Sequence, residues 1–342
     1  MILKNGILFS LIVIFAVASC KKSEPPSVPN LPVDATADVY IVGTSVAANG
    51  YHVATYWKNG VAKRVADSLS NSIGRSITVS GTDVFVAGQS GDGSATYWKN
   101  GVAIKLSPHG MTNAIAVSGK DVYVAGSTIL GATYWKNGVA TVFTDNTLDY
   151  RINSIAVNGN DIYVIGYIQA SDGNNNVAAY WKNGVQKKLG DSTLQSAAWG
   201  IAIKGNDVYI SGTTQLNLYG SLEAVYWKND IPHILVLDGV AGVSSIFVSG
   251  SDIYLAGATL PAGESNSIYI ATYWKNGVPT KIGTSGMYAE AKDIIVNGTD
   301  VYVAGVFDGS NNTSQYYWKN NAFVKFTNSK VVYVYGMAVV PH

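Results

Sequence analysis

Residues with chemistry to offer are few in this sequence, and most of them recur. Seven aspartates (Asp38, Asp83, Asp121, Asp161, Asp207, Asp252 and Asp300) each open a short apolar run, typically behind a Gly-x pair. A carboxylate in that place suits side-chain capping of backbone N–H groups at a turn better than seven equivalent catalysts or metal ligands. Glu223, Glu290 and Asp293 stand outside the recurring pattern. Two such groups at the right separation are the minimum equipment of a glycoside hydrolase. Asp172-Gly-Asn174-Asn-Asn176 and Asp308-Gly-Ser310-Asn-Asn312 imitate the opening of a calcium loop. In the first, however, Val177 stands where the loop needs its glycine and Asn183 where it needs its glutamate, so both read as polar loops and no metal site is assigned. There is no Gly-x-Ser-x-Gly elbow, His-Glu-x-x-His, phosphate loop or dinucleotide fingerprint, and no cofactor is assigned. The four histidines are scattered.

What positions these groups is a repeat. The phrase Ala-Thr-Tyr-Trp-Lys-Asn-Gly-Val-Ala at 54–62 returns with small changes around Trp98, Trp135, Trp181, Trp227, Trp274 and Trp318, at gaps of 41, 37, 46, 46, 47 and 44 residues from Trp57 onward. A second phrase, of the form Asp-Val-Tyr-Val-Ala-Gly, recurs in step seven times, and a third, as in Ser-Ile-Ala-Val-Asn-Gly at 154–159, precedes it in six copies. Alternation and β-branched enrichment make these strands. The Gly-x-Asp and Lys-Asn-Gly junctions are tight-hairpin chemistry, because Asn and Gly tolerate positive φ. Four antiparallel strands per unit of this length are the signature of a propeller blade.

The ends fix the count. The first unit begins at its second strand, at Asp38, and the chain finishes with Gly336-Met337-Ala338-Val339, which aligns with Ser154-Ile155-Ala156-Val157. The C-terminus therefore supplies the inner strand of the first blade. The expected fold is all-β, a seven-bladed propeller of four-stranded antiparallel blades over 37–342, its ring closed by the C-terminal strand. The low charge (13%), 36 glycines and 47% apolar residues agree with a sheet-rich body and a substantial core. The recurrent Tyr-Trp pair is assigned to packing between blades, each ring burying about 150–250 Å², rather than to a row of ligand platforms.

In such a ring the first-to-second and third-to-fourth strand turns share one face, and they hardly vary among copies. The variety lies on the other face, in 44–52, 167–177, 213–223, 258–270 and 306–316. Loops on a rigid scaffold are usual carriers of recognition. The residues two before the first apolar residue of each inner strand are expected at the mouth of the central channel: Arg75, Asn113, Asn153, Trp199, Ser244, Lys292 and Tyr335. Trp199 is the one tryptophan of eight outside the repeated phrase. Aromatics beside amides and cations suit a sugar ring, a carboxylate or a polar peptide.

Residues 1–19 have the layout of a secretory signal peptide, with one lysine, an apolar run from Ile7 to Val17 and small residues. Val17-Ala18-Ser19-Cys20 resembles the bacterial lipobox, which implies lipidation (palmitate included) at Cys20 and attachment to a membrane through that anchor. Residues 21–36, with four of the nine prolines, read as an extended tether. Lys21 stands where an inner-membrane retention signal would resemble Asp, so outer-membrane sorting in the cell envelope is expected. Net charge is +1, and removal of 1–19 takes away Lys4 to leave 22 basic against 22 acidic residues, so no nucleic-acid partner is expected.

Residues 37–342 resemble the YWKNG-type propeller repeats of secreted and lipid-anchored bacterial proteins, a family of mostly unassigned function. The resemblance implies the fold and little about activity. The leading expectation is a non-catalytic, lipid-anchored binding protein that presents its diversified face to a glycan or protein. The alternatives are a structural or assembly component of an envelope complex, and a carbohydrate-active enzyme with carboxylates at the channel mouth.

Overall fold

In the computed structural model, the structure describes residues 36–143, 150–170, 173, 175–218, 220–235, 239–261, 269–283, 288–309, 312–326 and 331–342. The signal peptide, Cys20 and the tether up to residue 35 lie outside them, as do Asp172, Asn174 and Ser310 of the two calcium-like loops.

Each Lys-Asn-Gly and Gly-x-Asp junction folds as a two-residue hairpin. In the first blade Lys58 pairs with Val61, leaving Asn59 (φ 49°) and Gly60 (φ 80°) at the tip. Two successive positive φ values define a type I′ turn, whose twist matches that of the flanking strands. Between the inner and second strands the tip begins with glycine, as at Gly81 (φ 58°) and Gly159 (φ 59°). Among the described residues twenty-eight strands result, in seven four-stranded antiparallel sheets. Six sheets run in simple chain order, such as Ile73–Ser80, Asp83–Gln89, Ala95–Lys99 and Val102–Ser107. The remaining one is composite: Val331–Pro341 pairs antiparallel with Ala37–Val46, with Val339 opposite Val39, followed by His52–Lys58 and Val61–Arg64. Numbering blades I to VII from this sheet, each inner strand contacts the next and VII returns to I, which closes the propeller.

The repeated residues divide between two tasks. The seven tryptophans are buried to 2% exposure or less, and each lies in a different apolar cluster. In every cluster the indole meets the preceding blade: Trp181 packs on Ala125 and Ala132 of blade III, and Trp57 on Tyr302 and Ala304 of blade VII. Burial of this size stabilises by several kcal/mol per ring as an upper bound. A second contributor stands eight residues after each tryptophan: Val65, Leu106, Phe143, Leu189, Leu235, Ile282 and Phe326 join the clusters of the following blade's tryptophan or flank it. Phe143, for instance, meets Trp181 at 5.2 Å and Phe326 stacks on Trp57 at 5.4 Å.

The seven aspartates do something other than cap backbone N–H groups, and that expectation is corrected. Each carboxylate accepts from side chains of the third-to-fourth strand turn in its own blade. Asn Nδ2 donates to Oδ1 at 2.7–3.0 Å, and Lys Nζ pairs with Oδ2 at 2.6–2.9 Å. The same lysine lies 5.3–5.4 Å from the aromatic ring two residues after the aspartate. The backbone N–H beside the aspartate is satisfied instead by the Asn Oδ1, at 2.8–2.9 Å. The asparagine thus takes the capping role, and the aspartate holds the asparagine and lysine in place. This is why Asp-x-Tyr and Trp-Lys-Asn recur together.

A further constraint lies at the glycine that ends the second phrase. In every blade the inner strand carries one extra residue opposite this glycine, a β-bulge. The bulge drives the carbonyl of the residue two earlier against the glycine Cα. A Cβ on Gly88 would meet the Ile73 carbonyl, one on Gly166 that of Arg151, and one on Gly257 that of Gly242, all well inside 3.0 Å. Gly43, Gly126, Gly212 and Gly305 meet the equivalent carbonyls of Tyr333, Met111, Ala197 and Glu290. None of the seven has positive φ, so close approach, not backbone freedom, demands glycine here.

Gly166→Ala is therefore expected to cost about 1–3 kcal/mol or more through overpacking against backbone, and Trp181→Ala about 3–5 kcal/mol through the cavity it leaves. Asp161→Asn, at an exposed ion pair, should shift the midpoint far less. Denaturant unfolding of the three variants checks this order. The aspartate–lysine contacts also set an acid limit. Hydrogen bonds from Lys and Asn hold Asp83, Asp161 and Asp252 below the ordinary carboxylate value. Their contribution is fully present above the unfolded value of 3.8 and is lost as pH falls through the lowered folded values. Melting temperature should accordingly decline once pH drops below about 4, and less steeply in a variant with several of the seven aspartates changed to asparagine.

Candidate functional site

The bulge determines what faces the channel. In blades II to VII the extra residue is Arg75, Asn113, Asn153, Trp199, Ser244 and Lys292, and in blade I it is Tyr335. These are the seven residues expected at the channel mouth, and the structure brings all of them to the wall of a single cavity of about 240 Å³ on the axis. All seven are half-buried. A bulge re-aims a side chain without breaking the sheet, which is how seven blades present seven different groups at one level.

Several of these groups fasten neighbouring blades. Asn113 Nδ2 donates to the Ile152 carbonyl at 2.7 Å, and Asn153 Nδ2 to the Ala198 carbonyl at 2.7 Å. Lys292 Nζ pairs with Glu290 Oε1 at 2.6 Å. Tyr335 stacks on Tyr333 at 6.0 Å and lies under the Arg75 guanidinium at 5.0 Å. Burial pushes the Tyr335 hydroxyl up in pKa, against the pull of Arg75. Burial likewise pulls Arg75 down; Tyr335 opposes the shift and the like charge of Arg151 adds to it.

A second, larger cavity of about 460 Å³ opens beside the mouth, on the diversified face between blades V, VI and VII. It shares Trp199, Ser244 and Lys292 with the axial cavity. Tyr269 and Tyr288 form much of its remaining wall, their rings edge-to-face at 5.8 Å, with Thr213, Leu222, Val243 and Ala258 beside them. Glu290 sits at its polar side: one oxygen takes Lys292 and the other accepts from Tyr288 Oη at 2.7 Å. Burial and this bond hold the Tyr288 hydroxyl well above the ordinary tyrosine range. Trp199 meets Tyr167 edge-on at 6.2 Å. Tyr269 falls within the diversified segment 258–270 but was not singled out, and Tyr288 lies outside those segments; both stand in connections of unequal length, where the repeat alignment has no partner for them.

The three carboxylates singled out in the sequence separate. Glu290 belongs to the lateral cavity and Glu223 lines neither cavity. Asp293 lies in the channel wall with both oxygens engaged: Oδ1 accepts from Ser245 Oγ at 2.6 Å and Ile294 N at 2.9 Å, and Oδ2 from Met337 N at 2.8 Å. It braces blades VI, VII and I. Burial raises its pKa and the three donors counter that rise. Among the described residues no three His, Cys, Asp or Glu side chains converge as metal ligands. A further cavity along the inner strands is walled by Ile77, Phe247, Ile295, Met337 and Val339, with the polar Thr78 and Asn297 beside them.

No protein-family model and no curated protein matches the sequence. Among solved structures, the chain is similar to a puromycin-hydrolysing peptidase of Mycobacterium tuberculosis, with a TM-score of 0.54, 9% identity, and 86% of this chain and 54% of that chain covered. An α-L-arabinofuranosidase of Clostridium thermocellum aligns at a TM-score of 0.33 and 12% identity, over 68% of this chain and 94% of that one. The chain thus spans about half the length of the peptidase it resembles, and at that identity the likeness is one of fold.

Proposed function

We propose that this protein is a non-catalytic, extracytoplasmic binding protein, held to the outer membrane through a lipid on Cys20, that takes a glycan on its diversified face. The observation that carries this reading is the lateral cavity. Three aromatic side chains, Trp199, Tyr269 and Tyr288, surround one concave site of about 460 Å³ beside a polar channel mouth. Flat rings with a few fixed polar groups at their edge are what a sugar needs: C–H faces stack on the rings while hydroxyls meet carboxylate, amine and amide. The carboxylates support binding over hydrolysis, because Glu290 is neutralised by Lys292 and Asp293 is fully occupied as a brace. The face of the Lys-Asn hairpins, nearly the same from blade to blade and tied up in its own ion pairs, has little left to recognise a ligand with. We further propose that the chain is one of the YWKNG-type propeller repeat proteins its repeated phrase resembles, with the ligand set by its own diversified loops.

Screening the mature protein on a glycan array and measuring the hits by calorimetry tests this. Trp199→Ala and Tyr288→Ala are each expected to weaken a confirmed glycan about tenfold or more, each stacked ring contributing on the order of 1 kcal/mol or above, with melting temperature unchanged. Undiminished binding in both variants, or an array with no hits, would refute the reading.

A further inference from the structure

Resting on the reading of the lateral cavity as a glycan site, we infer that the glycan is acidic and that Arg75 is the anchor for its carboxylate. A buried or half-buried guanidinium in a folded protein is ordinarily paired, since five N–H donors taken out of water are costly when unmet. Arg75 is half-buried, and its Nε is buried with no hydrogen-bond partner. Among the described residues its guanidinium has a ring beneath it, Tyr335, and a like charge near it, Arg151, but no carboxylate partner. The carboxylates of the two cavities are committed elsewhere: Glu290 of the lateral one to Lys292 and Tyr288, Asp293 of the axial one to Ser245 and two backbone N–H groups.

The placement fits a ligand. Arg75 and Trp199 line the same axial cavity, and Trp199 also lines the lateral one. A saccharide stacked on Trp199 and Tyr288 can therefore extend its next ring towards the axis, where the guanidinium stands. The Tyr335 ring, 5.0 Å from the Arg75 Cζ, holds the cation at the cavity wall, and a guanidinium there can offer bidentate contact to a planar carboxylate. Asn113, next in the ring, spends one N–H on the Ile152 carbonyl and keeps the rest of its amide for the ligand's hydroxyls. A uronic-acid sugar meets each of these demands; a neutral sugar leaves the guanidinium unpaired, and an acidic peptide makes no use of the aromatic wall.

Calorimetry with trigalacturonate, its methyl ester, neutral galactotriose and a triglutamate peptide tests the inference on the mature chain, in low and in moderate salt. Trigalacturonate is expected to bind at least tenfold more tightly than the ester or galactotriose, and to lose affinity with salt. Arg75→Gln should abolish that preference, while Arg75→Lys, which keeps the charge but not the fork, should retain only part of it. If Arg75→Gln fails to fold, thermal shifts of the wild-type protein give the same comparison: trigalacturonate should raise the melting temperature and its ester should not. Equal binding of acidic and neutral trimers, both lost in Trp199→Ala, would overturn the Arg75 assignment and leave the glycan reading standing. Tighter binding of triglutamate, or no binding of any trimer, would overturn both.

Discussion

The contact on which this molecule depends is that between a carbonyl oxygen and a glycine Cα, repeated once per blade. Seven times the inner strand carries an extra residue, and seven times the second strand answers with a glycine that leaves room for the displaced carbonyl. Without the glycine the bulge has no space. Without the bulge the inner strand would alternate regularly, and every side chain would point into one blade interface or the other. The bulge gives each blade one side chain that belongs to neither interface, and these seven side chains make the channel mouth. A packing constraint so strict that it admits only one residue type therefore creates the positions where sequence is free to vary.

Around that constraint the remaining repeated residues form a self-contained frame. The tryptophan and the apolar residue eight positions later seal each blade to its neighbour, and the Asp–Asn–Lys–aromatic cluster locks each blade's own outer hairpin. Both tasks recur in every blade, so the tryptophan, aspartate, asparagine and lysine are kept in all seven, while the apolar partner and the aromatic ring vary within their class. The ring closure by Val331–Pro341 against Ala37–Val46 adds a covalent logic: the last strand completes the first blade, and no blade can leave without unpairing the two ends.

Much of this was legible in the sequence, for reasons that can be named. Strand order, blade count and closure followed from three phrases in fixed register with a split first unit. The mouth residues followed because the phrase Ile-Ala-Val-Asn-Gly locates each inner strand to the residue, so Arg75 and Tyr335 could be aligned across blades that share little else. The aspartates were misread because their turn position suggests a backbone cap, whereas the asparagine of the adjoining hairpin, two strands further along the chain, satisfies the same N–H. The glycine's role was hidden because a bulge leaves no mark in the one-letter pattern. The lateral cavity was hidden because Tyr269 and Tyr288 lie in loops whose lengths differ, and only the fold brings them to Trp199.

Seven of the eight tryptophans are buried between blades, and the proposed function gives the eighth, the cavity-lining Trp199, to the ligand. Fluorine NMR of protein labelled with 5-fluorotryptophan reads that division directly, because each indole gives its own resonance. On titration with a glycan the protein binds, the resonance of Trp199, assigned by its loss in Trp199→Phe, should shift or broaden while the other seven stay in place. A shift confined to the seven buried indoles, or binding that leaves Trp199 unmoved, would contradict the account.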